Sequence, residues 1–322
     1  MANKRLDSQK RAMVLKALCE GMAINSACRV FSVGKHAVLR LIQEAGEACE
    51  SWHHEHFRNL SVARLELDEQ WSYCFKHKDK MGLIEARDHP ERGDCWLWAG
   101  MDPDSKCIIS WRTGKRTRTA YALAADLAMR VEGEVQITTD QHAAYVRPLS
   151  AAFGGRIHMA QELKEFRPLR EPGNEWLLKK VNPLVRVKRS KVFGNPNLAL
   201  STISHLERFF LTMRQSNKRK ARKTLAYSKR WDNHAFTTSI QIFTYNLCRV
   251  HESLKRTPAM EMGIVARRWS MDDVVSMTDA YWQAKETNTF EAAFAALSPR
   301  SMTSATIKGL ELGAGGNDDY LP

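Results

Sequence analysis

Long apolar runs are absent from this sequence. A membrane-spanning helix needs about 18 consecutive apolar residues, and nothing here approaches that length. The N-terminus, MANKRLDSQKRAM, lacks the apolar stretch of a secretory signal. Cysteine pairing signals are missing too. The seven cysteines, at 19, 28, 49, 74, 95, 107 and 248, are scattered, odd in number and free of any CxxC. That excludes a disulfide framework and leads us to expect reduced thiols and a cytoplasmic protein. The most informative scarcity is of acid. From Lys179 to Arg230 there are fifteen Lys or Arg and a single carboxylate, Glu207. This segment is therefore +14 in a chain of +13, and everything else sums to −1. A sequence pI near 9.5 points to an anionic partner. Nucleic acid fits better than a membrane surface, since no amphipathic anchor is evident.

With 322 residues, 43% hydrophobic and 26% charged, the chain is long enough for a real core and for about two domains. Residues 1–50 carry three helical patterns. Met13, Val14, Ala17 and Leu18 share one face, and Gly21 breaks the run. Ile24, Ala27, Cys28 and Phe31 line the second, and Val38, Leu41 and Ile42 the third, after the turn Ser32-Val33-Gly34. Two helices joined by three residues, with a supporting helix before them, predict a helix-turn-helix domain. Cys28 would be the small residue at the helix crossing. The second helix would lead into a DNA major groove with Lys35, His36 and Arg40. Ser32 stands where Gly is favoured, and Gly34 where a capping Ser or Asp is favoured. Residues 51–63 read as a polar linker. Its histidines, His53, His54 and His56, lie near Cys49 but match no closed four-ligand zinc spacing, and solvated side chains are expected.

Residues 64–260 alternate strand and helix patterns. LELDEQWSYCF, Leu65 to Phe75, predicts a strand with Leu65, Leu67, Trp71, Tyr73 and Phe75 on one face. Glu66, Asp68, Gln70 and Ser72 lie on the other. Asp is disfavoured in mid-strand, so Asp68 asks for a reason. Two apolar runs flanking Asp102-Pro103-Asp104-Ser105 predict a hairpin. A helix follows over Arg118–Val131. Glu134–Thr139 is the next strand, with Asp140 at its end. A short helix starts at His142–Tyr145, and Ile157–Met159 is a further strand. Then comes a helix, apolar at Ile203, Leu206, Phe210 and Met213, that carries Glu207. This order is that of a ribonuclease-H-like, integrase-like mixed-sheet catalytic domain. Pairing the first strand with the Asp140 strand would bring Asp68 and Asp140 together, because ligands collect at strand carboxyl ends.

Three carboxylates suit one chemistry. Phosphodiester cleavage needs an in-line nucleophile, a stabilised leaving oxygen and charge to offset the phosphate. Two divalent ions, Mg²⁺ or Mn²⁺, supply all three. Mg²⁺ takes hard oxygen ligands and keeps some waters. Asp68 would bridge both ions, with Asp140 holding one and Glu207 the other.

The segments EGMAINSACRVFSVGKHAVLRLI, LELDEQWSY, TTDQHAAY, GNPNLALSTISHLERFFLTMRQ, RKTLAYSKRWDNH and YNLCRVHESLKRTPAMEMGI carry a resemblance. In colinear order over roughly residues 10–265, the chain resembles bacterial insertion-sequence DDE transposases of the IS-one type. Glu69-Gln70 and Phe209-Phe210 depart from the usual pattern. The resemblance implies metal-dependent DNA strand cleavage and strand transfer, with the triad on Asp68, Asp140 and Glu207. It implies double-stranded DNA partners, the terminal inverted repeats and a target, and a homodimer pairing two ends. Arg208, Arg214, Lys218, Arg219, Arg222 and Lys223, following the Glu, would hold DNA backbones. A catalytically inactive DNA-binding regulator derived from a transposase is the alternative.

Lys164 to Leu200 has four prolines and a basic core of Arg186, Lys188, Arg189 and Lys191, and reads as a loop. Asn246, Arg249 and His251, at the end of an apolar helix, read as structural caps of that helix, with contacts to DNA or behind the site's ligands as the alternative. One or two amphipathic helices are expected over 261–297, with Trp269, Trp282, Phe290 and Phe294. Residues 298–322, poor in large apolar side chains, should be disordered.

Overall fold

Three helices come first in the computed structural model, which describes residues 6–116, 118–166 and 184–287. They are α1 (Ser8–Cys19), α2 (Ile24–Phe31) and α3 (Lys35–His56). Asp7 caps α1 by accepting from the Lys10 N–H, one of the orphan donors every helix start exposes. Three residues turn α2 into α3. Ser32 adopts the left-handed conformation at φ 51°, and Gly34 caps α3 with no side-chain bond. Ala27, rather than Cys28, is the small residue that is fully buried at this crossing.

The expected linker is corrected by α3, which runs unbroken to His56. His53 and His54 are buried rather than solvated. The reason is local packing. The His53 ring stacks on Phe57 at 3.9 Å between centroids and meets the edge of Trp111 at 4.4 Å. Burial, then the neighbouring cationic guanidiniums, pushes both imidazoles down, His54 to about 4. Both rings are therefore neutral. Among the described residues Cys49 and His53 belong to no cluster with metal-ligand geometry.

Among the described residues, seven strands and seven helices follow β1 (Leu60–Ser61). In chain order they are β2 (Arg64–Cys74), α4 (Leu83–Asp88), β3 (Gly93–Met101), β4 (Ile108–Gly114), α5 (Arg118–Arg130) and β5 (Val131–Glu132). Then come β6 (Val135–Thr139), α6 (Val146–Phe153), β7 (Ile157–Phe166) and β8 (Leu184–Phe193). The helices α7 (Ser204–Ser216), α8 (Trp231–Leu247), α9 (Pro258–Glu261) and α10 (Met271–Glu286) close the described chain. The main sheet has the order β4-β3-β2-β6-β7-β8, and β1 pairs with β5 beside it. β3 runs antiparallel to both β2 and β4; β6 runs parallel to both β2 and β7. The fold is thus mixed α/β with a mixed sheet. The β3–β4 hairpin turns where expected. The Asp102 carboxylate accepts from the Asp104 and Ser105 N–H groups, both at 3.1 Å.

One expectation for this region is overturned. Lys164–Leu200 is not all loop: β7 continues to Phe166 and pairs antiparallel with β8, while 167–183 lie outside the described residues. β8 is an edge strand with mostly exposed side chains on both faces, so no apolar period announces it. Its Arg186, Lys188, Arg189 and Lys191 are the type of residue that keeps an open edge from pairing with another chain. β2, by contrast, is covered on both faces. Glu66 and Gln70 are buried where α7 lies across them, and Ser72 is buried against His234. Glu66 accepts from the Leu206 N–H at 2.9 Å, and Gln70 donates to the Phe210 carbonyl at 2.8 Å.

The sheet therefore has apolar packing on both faces. Leu97, Ala99, Met101 and Ile108 meet Leu206, Phe210 and Met213 of α7 on one side. On the other, Leu65, Leu67 and Trp98 join a cluster reaching Leu123 and Leu127 of α5. That cluster is continuous with Val14, Leu41 and Ile42 of the first three helices and with Phe236 and Phe243 of α8. The first three helices thus share one core with the rest. α10 packs on α1 and α3. Arg11 donates twice to Asp279, at 2.6 and 2.7 Å, and Trp282 donates to the Glu44 carbonyl. Phe290, Phe294 and the tail 298–322 lie outside the described residues.

Candidate metal centre and its basic surroundings

Strand register makes the centre. β2 and β6 run side by side with Leu67 opposite Thr139, so the next residue of each, Asp68 and Asp140, falls at one place. Asp68 lies under α7, and Glu69 points to the other face. The Glu69 carboxylate accepts from the Tyr145 hydroxyl at 2.8 Å and pairs with Arg116 at 3.3 Å. Carboxylate oxygens of Asp68, Glu69 and Asp140 nevertheless all lie within 4.8 Å of one another. Two of the three are fixed by backbone donors: the Glu69 N–H at 2.8 Å from Asp68, and the His142 N–H at 3.0 Å from Asp140.

Electrostatically this arrangement is uncomfortable. Burial raises the Asp68 carboxyl well above the usual carboxylate range, and the charges of Glu69, Asp140 and Glu207 push it further. Glu69 is raised as well, by burial and then by Asp140. Like charges so close ionise together only with compensating positive charge. A divalent cation supplies it, and three hard oxygens are the donor set Mg²⁺ or Mn²⁺ takes. The residues present therefore fit such an ion.

Of the three expected ligands, two are gathered and one stands apart. Glu207 lies in the first turn of α7 and is close enough to act on the Asp68 charge. Its carboxylate is ion-paired with Lys164 of β7, which also faces Glu162 at 3.5 Å. Glu207 is not part of the compact cluster, and Glu69 takes that place. Strand alternation pointed Glu69 away from Asp68. The adjacent acidic pair was the only available signal.

The basic residues divide between two places. Arg214, on α7, is half-buried, with its Nε unpartnered, and feels the Asp68 charge. It is a cation within reach of the cluster. A cleft of about 1080 Å³ opens between α2, the start of α3 and the 217–230 segment. Arg29, Lys35, His36, Lys218, Arg219 and Arg230 line it, and no described Asp or Glu does. Lys35 and His36 are exposed, whereas Arg40 is partly buried beside Glu44 at 3.9 Å. Arg219 is largely inward, donating to Ser228 at 2.7 Å. Arg208, Arg222 and Lys223 are exposed outside this cleft.

Two further features were not expected. Lys220 is fully buried, with its ammonium 2.8 Å from His234 Nε2. Burial lowers it to about 8. His234 also meets Ser72 at 2.9 Å and Ser228 at 3.0 Å, tying the basic segment to β2. Asn246 proves structural, as expected. It accepts from the Ile108 N–H at 3.0 Å and donates to the Ile108 carbonyl at 2.9 Å.

No protein-family model matches this chain, and no curated protein matches it. Among the described residues no helix is long and apolar enough to cross a membrane.

Proposed function

We propose that this chain is a DNA transposase, a metal-dependent polynucleotidyl transferase of the DDE type. The observation that carries the reading is the meeting of Asp68, in the middle of β2, with Asp140 at the end of β6, with Glu69 beside them and Glu207 on the helix above. The sheet order, three antiparallel strands followed by two parallel ones and the antiparallel edge strand β8, supports a ribonuclease-H-like assignment. The α2–turn–α3 unit supports a helix-turn-helix, with Lys35 and His36 at its exposed leading end.

Asp68, Asp140 and Glu69 would hold Mg²⁺ or Mn²⁺, and Glu207 would join once released from Lys164. When bound, such ions activate water and offset charge on the transferred phosphate. The chain's own groups do the rest. Backbone N–H groups hold Asp68 and Asp140 in place, and Tyr145 and Arg116 orient Glu69. Arg214 would meet a phosphate oxygen at the cluster, while Lys35, His36 and Lys218 would meet the backbone of double-stranded DNA along the cleft. Element ends and target would be joined by a homodimer.

The Lys164–Glu207 ion pair favours one alternative, a catalytically inactive DNA-binding regulator. A single experiment separates them. Donor DNA bearing candidate ends is incubated with a plasmid target and Mg²⁺, using wild type and Asp68→Asn, Asp140→Asn and Glu207→Gln. The transposase reading expects joined product from wild type alone, with DNA binding kept in every variant. Binding without cleavage in wild type means the regulator.

A further inference from the structure

A second, smaller cavity of about 340 Å³ lies on the far side of α7 from the Lys164 ion pair, between that helix, the β3–β4 turn and the segment after α8. Its charged lining is one-sided: Lys106, Arg208 and Arg249 against Glu252 alone, with His205 and His251 beside them. Arg208 and Arg249 are exposed. Neither is ion-paired among the described residues, so both cations are available. Phe209 and Tyr245 form an aromatic wall, their rings edge to face at 4.7 Å. Burial and then the charges of Lys106, Arg249 and His205 lower His251, as expected where positive potential accumulates.

The cavity is coupled to the acidic cluster. His205 on its wall meets Glu66 at 2.6 Å, and Glu66 lies two residues from Asp68 on the same face of β2. One strand repeat of two residues is about 7 Å. The cavity wall is thus linked through His205 and Glu66 to the strand that carries Asp68.

We propose that this cavity binds one unpaired nucleotide of the DNA strand lying across the acidic cluster, its phosphate between Arg208 and Arg249 and its base against Tyr245. The volume lies within the range of small-ligand sites, about 300–1,000 Å³. Cations beside an aromatic surface are the pairing that holds single-stranded nucleic acid. A duplex nucleotide is already stacked and paired, and extruding it costs a few kcal/mol, so the site selects strands already open. This rests on the reading of DNA as the substrate, but not on catalysis.

The test uses the full chain in EDTA, so that no cleavage intervenes. Two DNA probes are compared: a blunt duplex, and the same duplex with a short single-stranded overhang carrying 2-aminopurine. Wild type should bind the overhang about tenfold more tightly, with a change in 2-aminopurine fluorescence. The Arg208→Ala/Arg249→Ala double variant should lose that preference and signal, weakening overhang binding about tenfold more than blunt-duplex binding. Asp68→Asn should retain both. Tyr245→Leu should keep affinity within about threefold but lose most of the fluorescence change. Equal weakening on both probes would reduce the cavity to general electrostatics and overturn the proposal, as would an unaltered preference. Absence of joined product in the strand-transfer assay would leave this result standing, and the reverse also holds.

Discussion

Asp68 shows what a single side chain gives up for a cluster. It is half-buried, held by one backbone N–H, and repelled by Glu69, Asp140 and Glu207. Asp68→Asn should therefore stabilise the metal-free protein, by about 1 kcal/mol, while abolishing strand cleavage. Thermal denaturation checks this: Mg²⁺ should raise the wild-type midpoint and leave that of the variant nearly still. Lys220 gives up stability in another way. Its folded value of about 8 lies below the ordinary lysine value. Below about pH 8 it is charged in both states and its burial opposes folding. As pH rises from there towards the unfolded value, the folded state sheds its proton first and the opposition fades. Lys220→Met should thus exceed wild type in stability near pH 7, with the advantage shrinking by about 2 kcal/mol near pH 9.5. Chemical denaturation of both proteins at the two pH values measures it. Neither Lys220 nor the Glu69 role was legible in the sequence. A lysine within a basic run carries no mark of burial. A carboxylate beside another is assigned to the opposite face by strand alternation, and only Asp140, arriving at the end of the neighbouring β6, gathers both into one cluster.

Elements were more legible than their surroundings. The periodicity of α2 and β2 and the turn at Asp102 reported themselves, because each has an apolar stripe or a side chain that bonds its own backbone. In α1 the expected face was misplaced: Met13 is exposed, and Arg11, Ala12, Val14 and Leu15 are buried. β8 did not, because an edge strand exposed on both faces has no stripe. The end of α3 was hidden for the opposite reason: polar histidines there are buried by rings and guanidiniums that arrive from far along the chain. One close approach decides how α3 sits. A Cβ on Gly46 would stand 2.4 Å from Phe236 Cβ and 2.8 Å from Phe236 Cα, so α3 and α8 meet there as only glycine permits. Gly46→Ala must push the helices apart, and we expect a destabilisation of about 2–3 kcal/mol. A denaturant midpoint left in place would mean that the two helices do not meet as described.

At the scale of the whole molecule, charge is segregated rather than merely positive. The 179–230 segment carries +14 in a chain of +13, and within it the charge of Asp68 acts on Arg214. If the cleft takes DNA, each Lys→Ala change at Lys35, Lys218 or Lys229 of its lining should flatten the log–log salt dependence of duplex binding by about 0.9 for each phosphate no longer neutralised. Titrations across a salt series, with Lys285→Ala on α10 as control, test this. An equal effect of Lys285→Ala would place the binding surface elsewhere.

The unbroken α3 has a mechanical corollary. Its 22 residues extend about 33 Å at 1.5 Å each. At one end sit Lys35 and His36; at the other, Arg130 donates to the Phe57 carbonyl and anchors the rod beside the sheet. Whatever the leading turn grips is kept at a set distance from the Asp68 strand, as on a gauge block. If the chain does cut DNA, this continuous rod would fix the offset between a gripped sequence and the point of scission.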